Sequence, residues 1–244
     1  MNEPSTRRRL LFGLGASAAA GVLGAGAGAL VRARRRDPAA PELDQASACV
    51  EVEDPPVEDF MREHAVLERV LLVYEECAHL LESGEKTPLD VIAGAAGLVR
   101  RYIEDHHERD EEEHVFPRLK SVGAEVALVD TLLVQHAAGR RLTGEILTLA
   151  RGGVGSDRRR LAASLRRFSR MYRPHAARES TVLFPALRRA VSREEYARLE
   201  ATLERNERRA FGAGLYERVL GEVVDLERAV GVDDLAAFTP PADA

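Results

Sequence analysis

Two strings of the same form decide how this chain is interpreted: HERDEEEHVFP at residues 107–117 and HAARESTVLFP at residues 175–185. Both fit the pattern H-x3-E-x4-F-P, and each is followed, one residue later, by a leucine, Leu119 or Leu187. Residues four apart lie on the same face of an α-helix, about one turn apart. Each string therefore predicts a helical segment that presents a histidine and a glutamate to one point in space, with the proline marking its end.

The rest of the chain predicts an all-α fold around these strings. The composition is rich in Ala, Leu, Arg and Glu and lacks tryptophan, which is typical of helices that pack through aliphatic faces. Apolar residues recur at steps of three and four from Val57 onward. The predicted helices run over about 57–83, from a cap at Thr87 to near Pro117, over about 124–150, and from a cap at Ser156 and Asp157 through the second string. Four long helices with short links predict an up-down-up-down four-helix bundle.

Two additional C-terminal helices follow the predicted bundle. The run Ser192-Arg193-Glu194-Glu195 predicts the capped start of a fifth helix, and Leu215 to Val230 predict a sixth. The predicted boundaries are 57–190 for the bundle, 191–232 for the helical extension and 233–244 for a tail. The extension shows no residues that indicate chemistry, so we expect it to pack against the outside of the bundle or to lengthen it.

The first 36 residues indicate a targeting segment. Arg7, Arg8 and Arg9 precede a Gly- and Ala-rich stretch at 10–31, an arrangement that resembles a twin-arginine export signal. That stretch is also long enough to span a bilayer, so residues 1–36 are predicted to be either a cleaved signal or a membrane anchor. The proline-containing residues 37–56 predict a flexible linker. We expect an exported protein, either periplasmic or anchored to the inner membrane and facing the periplasm.

The charge distribution argues against nucleic-acid binding. The chain carries a formal charge of -5, although seven arginines lie among the first 36 residues, so the remainder is more acidic than the whole. A phosphate backbone would repel such a body. The chain has two cysteines, Cys49 and Cys77, which are too few for a disulfide framework or a thiolate metal site.

The first and third predicted helices each add one inward-facing histidine, in the strings Glu63-His64-Ala65 and Gln135-His136-Ala137. The chain thus repeats one pattern, in which a helix with one inward-facing histidine is followed by a helix with a His–Glu pair. This repeat predicts two metal positions that share one centre. Buried carboxylates and imidazoles are costly without partners, and cations remove that cost. Open coordination positions and oxygen ligands favour two iron ions, with manganese or zinc as alternatives.

These motifs resemble the hemerythrin-like, HHE cation-binding family, over about 57–187 of the chain. The resemblance implies a dinuclear iron site in a four-helix bundle, with terminal ligands His64, His107, His136 and His175 and bridging ligands Glu111 and Glu179. It also implies that Glu108 stands where carboxylate-rich members of the family add a ligand. Arg140 stands where oxygen carriers of the family have a second histidine, which disfavours a simple reversible oxygen carrier.

The expected function is that of a non-haem diiron protein that binds or reacts with a small ligand: oxygen, nitric oxide or peroxide. The alternatives are an enzyme such as a peroxidase or nitric oxide reductase, a sensor, and a non-catalytic iron-binding or envelope-stress protein. The oligomeric state stays open.

Several neighbouring residues have predicted roles of their own. His114 lies seven residues after His107 and is an alternative extra ligand, whereas His106 and Asp110 are predicted to support the site or face solvent. The remaining predictions place Glu112, Glu113 and His79 at the surface, place Tyr74, Tyr102 and Tyr172 in the core, and expect Pro174 to kink the fourth helix.

Overall fold

The computed structural model of the protein describes residues 55–152 and 157–241, and the regular elements within these ranges are all helices. The all-α prediction is therefore confirmed for the described residues. The predicted export signal at 1–36 and linker residues 37–54 lie outside them. None of the helices within the two ranges is both long and apolar enough to cross a lipid bilayer.

Six long helices make up most of the described chain. They are α1 (Pro55–Ser83), α2 (89–121), α3 (Val126–Arg151), α4 (158–190), α5 (Arg193–Phe211) and α6 (Leu215–Val230), and a short 3-10 turn follows at Leu235–Phe238. The predicted bounds of the first, third and sixth helices agree with these to within about two residues.

Helices α1, α2, α3 and α4 form a ring in which each packs on two others: α1 on α2, α2 on α3, α3 on α4, and α4 on α1. Helix α6 lies across α1 and α2, and α5 contacts α1. The buried carboxylate of Glu227 on α6 accepts two hydrogen bonds from Arg69 on α1, which ties the C-terminal helices to the ring.

The buried apolar side chains form two separate clusters. One contains Leu71, Tyr74, Ile92, Phe168 and Tyr172, among others, and the second contains Phe60, Phe116, Leu119, Phe184 and Leu187. Rings of the second cluster contact His64, His107 and His136, whereas Tyr172 of the first contacts His175. A polar centre built from the predicted histidines therefore lies between two apolar clusters that exclude water from it.

The prediction that the second helix stops near Pro117 is wrong, because α2 continues to Ser121. Helix α4 likewise continues past Pro185 and ends at Ala190, the predicted end of the bundle. In each helix a wide π turn precedes the proline, at Glu111–Val115 and Glu179–Leu183. The N–H of Phe116 bonds to the carbonyl of Glu111, five residues back, and Phe184 bonds to Glu179 in the same way. In this wider turn each N–H bonds to the carbonyl five residues back instead of four. A proline has no N–H to donate, and its ring would clash with the carbonyl four residues back in an ordinary α-helical turn.

The predicted helix caps have different outcomes. The prediction that Thr87 caps the second helix is wrong, since α2 begins at Leu89 and the Thr87 hydroxyl donates to the carbonyl of Glu85. Asp157 precedes α4 without a capping hydrogen bond from its side chain, and Ser156 lies outside the described residues. The capping box of Ser192 and Glu195 is confirmed, with both reciprocal hydrogen bonds present.

Candidate metal centre

Four helices converge on one buried group of six side chains, none more than 6% exposed. Helix α1 contributes one residue, α2 two, α3 one and α4 two. In that order they are His64, His107, Glu111, His136, His175 and Glu179. On α2 and α4 the histidine precedes the glutamate by four residues, so both side chains lie on the same inward face.

The two glutamates lie between the imidazoles. The Oε1 atom of Glu179 is 3.1 Å from Nε2 of His175, and its Oε2 is 3.2 Å from Nε2 of His64. The Oε2 atom of Glu111 is 3.5 Å from Nε2 of His136 and 3.7 Å from Nε2 of His107. Each carboxylate therefore reaches one histidine of each helix pair, which is the arrangement that a bridging ligand requires.

These close approaches are not hydrogen bonds. Both carboxylate oxygens of Glu111 and of Glu179, together with Nε2 of His64 and of His136, are buried without a hydrogen-bond partner. Buried polar atoms without partners are rare and cost roughly 1–3 kcal/mol each. Cations coordinated by these atoms would remove that cost, so the residues present fit a metal centre.

The atoms divide into two overlapping groups of possible ligands. One group combines His64, His107, Glu111 and Glu179, and the other combines His136, His175 and Glu179, each with its ligand atoms within 4.8 Å of one another. The ring centroids are 4.7 Å apart for His64 and His107, and 5.0 Å apart for His136 and His175. The two groups of possible ligand atoms share the carboxylate of Glu179.

Every imidazole of the centre has a partner for its other ring nitrogen. The Nδ1 contacts are His107 to Glu63 (2.7 Å), His136 to Glu112 (2.8 Å), His175 to Gln135 (2.9 Å) and His64 to Ser180 (3.0 Å). Carboxylate and amide oxygens can only accept, so Nδ1 of the first three rings carries the proton and Nε2 presents its lone pair to the centre. Partners of this kind orient metal-ligating histidines.

Sequence reasoning did not identify these four partners as part of the site. Glu112 was predicted to be a solvated surface residue, which is wrong, because it is half-buried and bonded to His136. The repeat itself contained the signal. Glu63 and Gln135 directly precede the inward histidines of α1 and α3. Glu112 and Ser180 directly follow Glu111 and Glu179.

Burial sets the protonation of the centre. Burial and the negative charge of Glu179 raise the pKa of Glu111 well above its usual range. Burial also acts to raise the pKa of Glu179, but the imidazoles of His175 and His64 outweigh it and lower that pKa below its usual range. Burial lowers the pKa of His107 to about 4, which keeps this ring neutral and able to coordinate.

Glu108 lies beside the six-residue group. Together with Glu112 and His136 it forms a third group of possible ligands, whose atoms lie within 4.8 Å of one another. Its Oε1 accepts a hydrogen bond from the Tyr172 hydroxyl, and its Oε2 lies 2.9 Å from Nη2 of Arg140. The same guanidinium nitrogen lies 2.9 Å from Oε1 of Glu112. Arg140 thus places a permanent positive charge between two carboxylates, and the ligand role of Glu108 stays a prediction.

The Tyr172 hydroxyl reaches Glu108 because Gly139 leaves room for it. A Cβ atom on Gly139 would lie 2.0 Å from the hydroxyl oxygen of Tyr172 and 2.7 Å from Cζ of the same ring. We therefore expect Gly139→Ala to destabilise the protein by about 1–3 kcal/mol, because the buried ring must move. Chemical denaturation measures this change.

Gly144→Ala on the same helix is the matched control. The nearest atom to its added Cβ is the end of the Arg100 side chain at 3.8 Å. We expect this variant to gain about 0.5–1 kcal/mol, since alanine favours a helix over glycine. An equal response of the two variants would contradict the steric argument.

The other histidines have separate places. His106 is buried, with its Nε2 3.1 Å from Oε1 of Glu63, so it supports the site. His114 is not among the groups of possible ligands that the described residues form, and its Nε2 lies 3.1 Å from Nδ2 of Asn206 on α5. Asn206 also donates to Asp110. Helix α5 therefore reaches residues next to the centre. His79 and Glu113 are exposed, as predicted.

The three tyrosines are buried, as predicted for core residues. Tyr172 goes beyond that prediction, because its hydroxyl bonds to Glu108 and its ring centroid is 5.2 Å from that of His175. Pro174, expected to kink the fourth helix, lies inside the continuous helical segment Arg158–Arg178.

Comparisons with known proteins agree with this geometry. A family model described as the hemerythrin HHE cation binding domain matches residues 55–187 and, in a second overlapping match, residues 128–213. Uncharacterized proteins of Mycobacterium tuberculosis and Mycobacterium bovis are 39% identical to this chain over 186 residues, which covers 75% of this chain and 73% of each relative. No solved structure matches the chain at a significant level. The first family match contains all six residues of the centre and Glu108.

Proposed function

The chain belongs to the hemerythrin HHE cation-binding family, and from this premise we propose that it is a non-haem diiron protein that binds or reacts with oxygen, nitric oxide or peroxide. In this proposal His64, His107, His136 and His175 are terminal ligands and Glu111 and Glu179 are bridges. Glu108 is proposed as a further ligand, and the ring of α1, α2, α3 and α4 as an up-down-up-down four-helix bundle.

One observation supports this proposal above all others: the buried oxygens of Glu111 and Glu179 face imidazole nitrogens without hydrogen bonds. A set of imidazole and carboxylate donors with open coordination positions suits iron, and it also tolerates manganese or zinc. A purely structural polar cluster would instead use hydrogen bonds to satisfy these atoms.

Bound iron would supply redox chemistry and open positions for a small ligand. The chain's own residues hold and shield those positions. The Nδ1 partners fix the orientation of the imidazoles, and the rings of Phe60, Phe116 and Phe184 exclude water from one side. Because none of the six side chains is more than 6% exposed, only small molecules would reach the centre.

Metal content after anaerobic purification tests the proposal. We expect about two irons per chain, with an absorption change when oxygen is added. His64→Ala should remove an imidazole ligand and leave about one iron or none, whereas His79→Ala, at an exposed histidine on the same helix, should keep both. One zinc per chain, without a spectral change, would overturn the proposal.

An alternative is a non-catalytic iron-binding, sensing or envelope-stress protein. The burial of the centre supports this alternative, because side chains that shield the metal from solvent also slow the exchange of bound metal. Sustained turnover of peroxide would indicate an enzyme, and a single stoichiometric colour change would indicate a binding or sensing protein. Slow metal exchange without any reaction would indicate the non-catalytic alternative.

We also propose that residues 1–36 direct export or anchor the protein in the inner membrane, with the centre on the periplasmic side. Residues 37–54 are proposed as a linker, since the predicted linker 37–56 is shortened by helix α1, which begins at Pro55. The arginine run followed by a Gly- and Ala-rich stretch supports the role of residues 1–36. Fractionation of cells that express the full chain tests it, with the variant Arg7→Lys, Arg8→Lys as the matched control. Retention of both proteins in the cytoplasm would contradict it.

A further inference from the structure

Each half of the centre has one carboxylate and one neutral acceptor for its Nδ1 protons, but the two carboxylates, Glu63 and Glu112, have different surroundings. Glu63 on α1 and Gln135 on α3 occupy matching positions, each directly before the inward histidine of its helix. Each contacts Nδ1 of the histidine on the next helix of its pair: Glu63 at 2.7 Å from His107, and Gln135 at 2.9 Å from His175. One acceptor is a carboxylate and the other an amide of nearly the same shape.

Glu112, the carboxylate acceptor of the other half, differs from Glu63 because a cation lies beside it. Its Oε1 contacts both Nδ1 of His136 and the guanidinium of Arg140, at 2.8 and 2.9 Å. A permanent cation therefore offsets the charge of Glu112 where it meets the imidazole. Among the described residues, the ion pairs of Glu63 are with the imidazoles of His106 and His107.

The Glu63 carboxylate is also held in place. It is 8% exposed, and its Oε1 lies 3.1 Å from Nε2 of His106. The ring of His106 in turn packs on Phe211 of α5, with centroids 5.3 Å apart. The acceptor is therefore fixed on both of its oxygens, and one of these contacts is supported by the C-terminal extension.

A carboxylate that accepts the N–H of a ligating imidazole makes the opposite nitrogen a stronger donor. An amide acceptor fixes the same orientation but supplies less electron density. We propose that Glu63 is a positioning residue that makes the His64 and His107 half the more electron-rich half, so that it holds the more highly charged metal ion. This inference rests on the proposed function, because it needs two metal ions.

Two reciprocal variants test it: Glu63→Gln gives the first half the acceptor of the second, and Gln135→Glu does the reverse. Both keep the size and shape of the side chain. Metal content is measured first, since about two irons in the wild-type protein is the result that the proposed function itself requires. A wild-type protein without two irons overturns the proposed function and this inference with it.

Stepwise reduction potentials are then measured by spectroelectrochemical titration. An outer hydrogen-bond partner of a ligating histidine changes metal affinity by about 10- to 100-fold. When the affinity for the ferric ion changes by this factor and that for the ferrous ion does not, the potential shifts by about 60–120 mV, at 59 mV per tenfold for a one-electron couple. We expect Glu63→Gln to raise the lower of the two potentials and Gln135→Glu to lower the higher one, so that each variant narrows the separation.

The two shifts of opposite sign distinguish electronic positioning from a structural role, which would change metal content or stability but not move potentials in opposite directions. The inference is overturned if both variants bind two irons and keep the wild-type potentials. It is also overturned if both variants shift their potentials in the same direction.

Discussion

Glu111→Met is expected to make the metal-free protein more stable while abolishing its response to metal. The side chain of Glu111 is fully buried, and neither of its oxygens has a hydrogen-bond partner. Replacement of a buried ionisable group by an apolar side chain of similar length is often stabilising, by about 1–4 kcal/mol. A substitution that raises stability but removes function is typical of a binding site, because the polar groups of such a site are satisfied only when the ligand is bound.

The response to metal should change in the opposite direction. With ferrous ion at 100 times the dissociation constant of each site, the wild-type protein should gain about 2.7 kcal/mol of unfolding free energy per occupied site, or about 5 kcal/mol for two sites. The variant lacks one carboxylate of the centre and should gain almost none. Anaerobic urea denaturation, with and without ferrous ion, measures both quantities on the same samples.

Glu113→Met is the matched control on the same helix. Glu113 is exposed and pairs with Arg109, so we expect its replacement to change the stability of the metal-free protein by less than about 0.5 kcal/mol and to leave the metal response intact. If Glu111→Met lowered the stability of the metal-free protein, the carboxyl group would have to be satisfied there without metal, and the interpretation of the centre would fail.

The stability of the metal-free protein is expected to fall as the pH rises from about 6.5 to 8. Burial raises the pKa of Glu108 to about 8 from an ordinary value of 4.5, and burial raises the pKa of Glu111 in the same direction. A raised carboxyl pKa contributes stability below the unfolded pKa and loses it as the pH rises toward the folded pKa. At 1.36 kcal/mol per pH unit, Glu108 alone should account for about 2 kcal/mol over this window.

A second group opposes this loss at lower pH. Burial lowers the pKa of His107 to about 4 from 6.5, so its contribution is present above pH 6.5 and is lost as the pH falls toward 4. Between about 4.5 and 6.5 the changes from Glu108 and His107 have opposite signs and nearly cancel. The metal-free protein should therefore be most stable in that interval.

Metal binding should reverse the trend above pH 6.5, because bound cations favour ionised carboxylates and neutral imidazoles. The difference in unfolding free energy between metal-bound and metal-free protein should widen from pH 6.5 to 8. Denaturation at pH 5, 6.5 and 8, with chelator or with metal, measures this. Glu108→Gln should reduce the alkaline loss, since an amide still accepts from Tyr172 and does not titrate; a loss of the same size in both proteins would contradict the assignment.

Much of the centre could be predicted from the sequence because its ligand pairs are local. His107 with Glu111, and His175 with Glu179, are four residues apart on one helix, so helical geometry alone brings each pair together. The capping box at Ser192 and the sixth helix were predictable for the same reason: each depends on residues that are neighbours along the chain.

The prediction of the second helix's end failed because packing around the turn before Pro117, and not the local sequence, decided its conformation. The second helix was predicted to stop near Pro117, but a π turn at Glu111–Val115 precedes the proline and the helix continues to Ser121. The hydrogen-bond register of a turn depends on what packs around it, and composition and periodicity do not report that.

By itself, the sequence determined the all-α class, most helix bounds and the inward face that bears histidine and glutamate. These features depend on the spacing of apolar residues and on helix capping, both of which act over a few neighbouring residues. Only the tertiary structure decided that Glu63 on α1 supports His107 on α2, that Glu112 supports His136, and that Asn206 of α5 reaches Asp110. These contacts join residues far apart in the chain, and the rotation and offset of one helix against another follow from how all the buried side chains pack together.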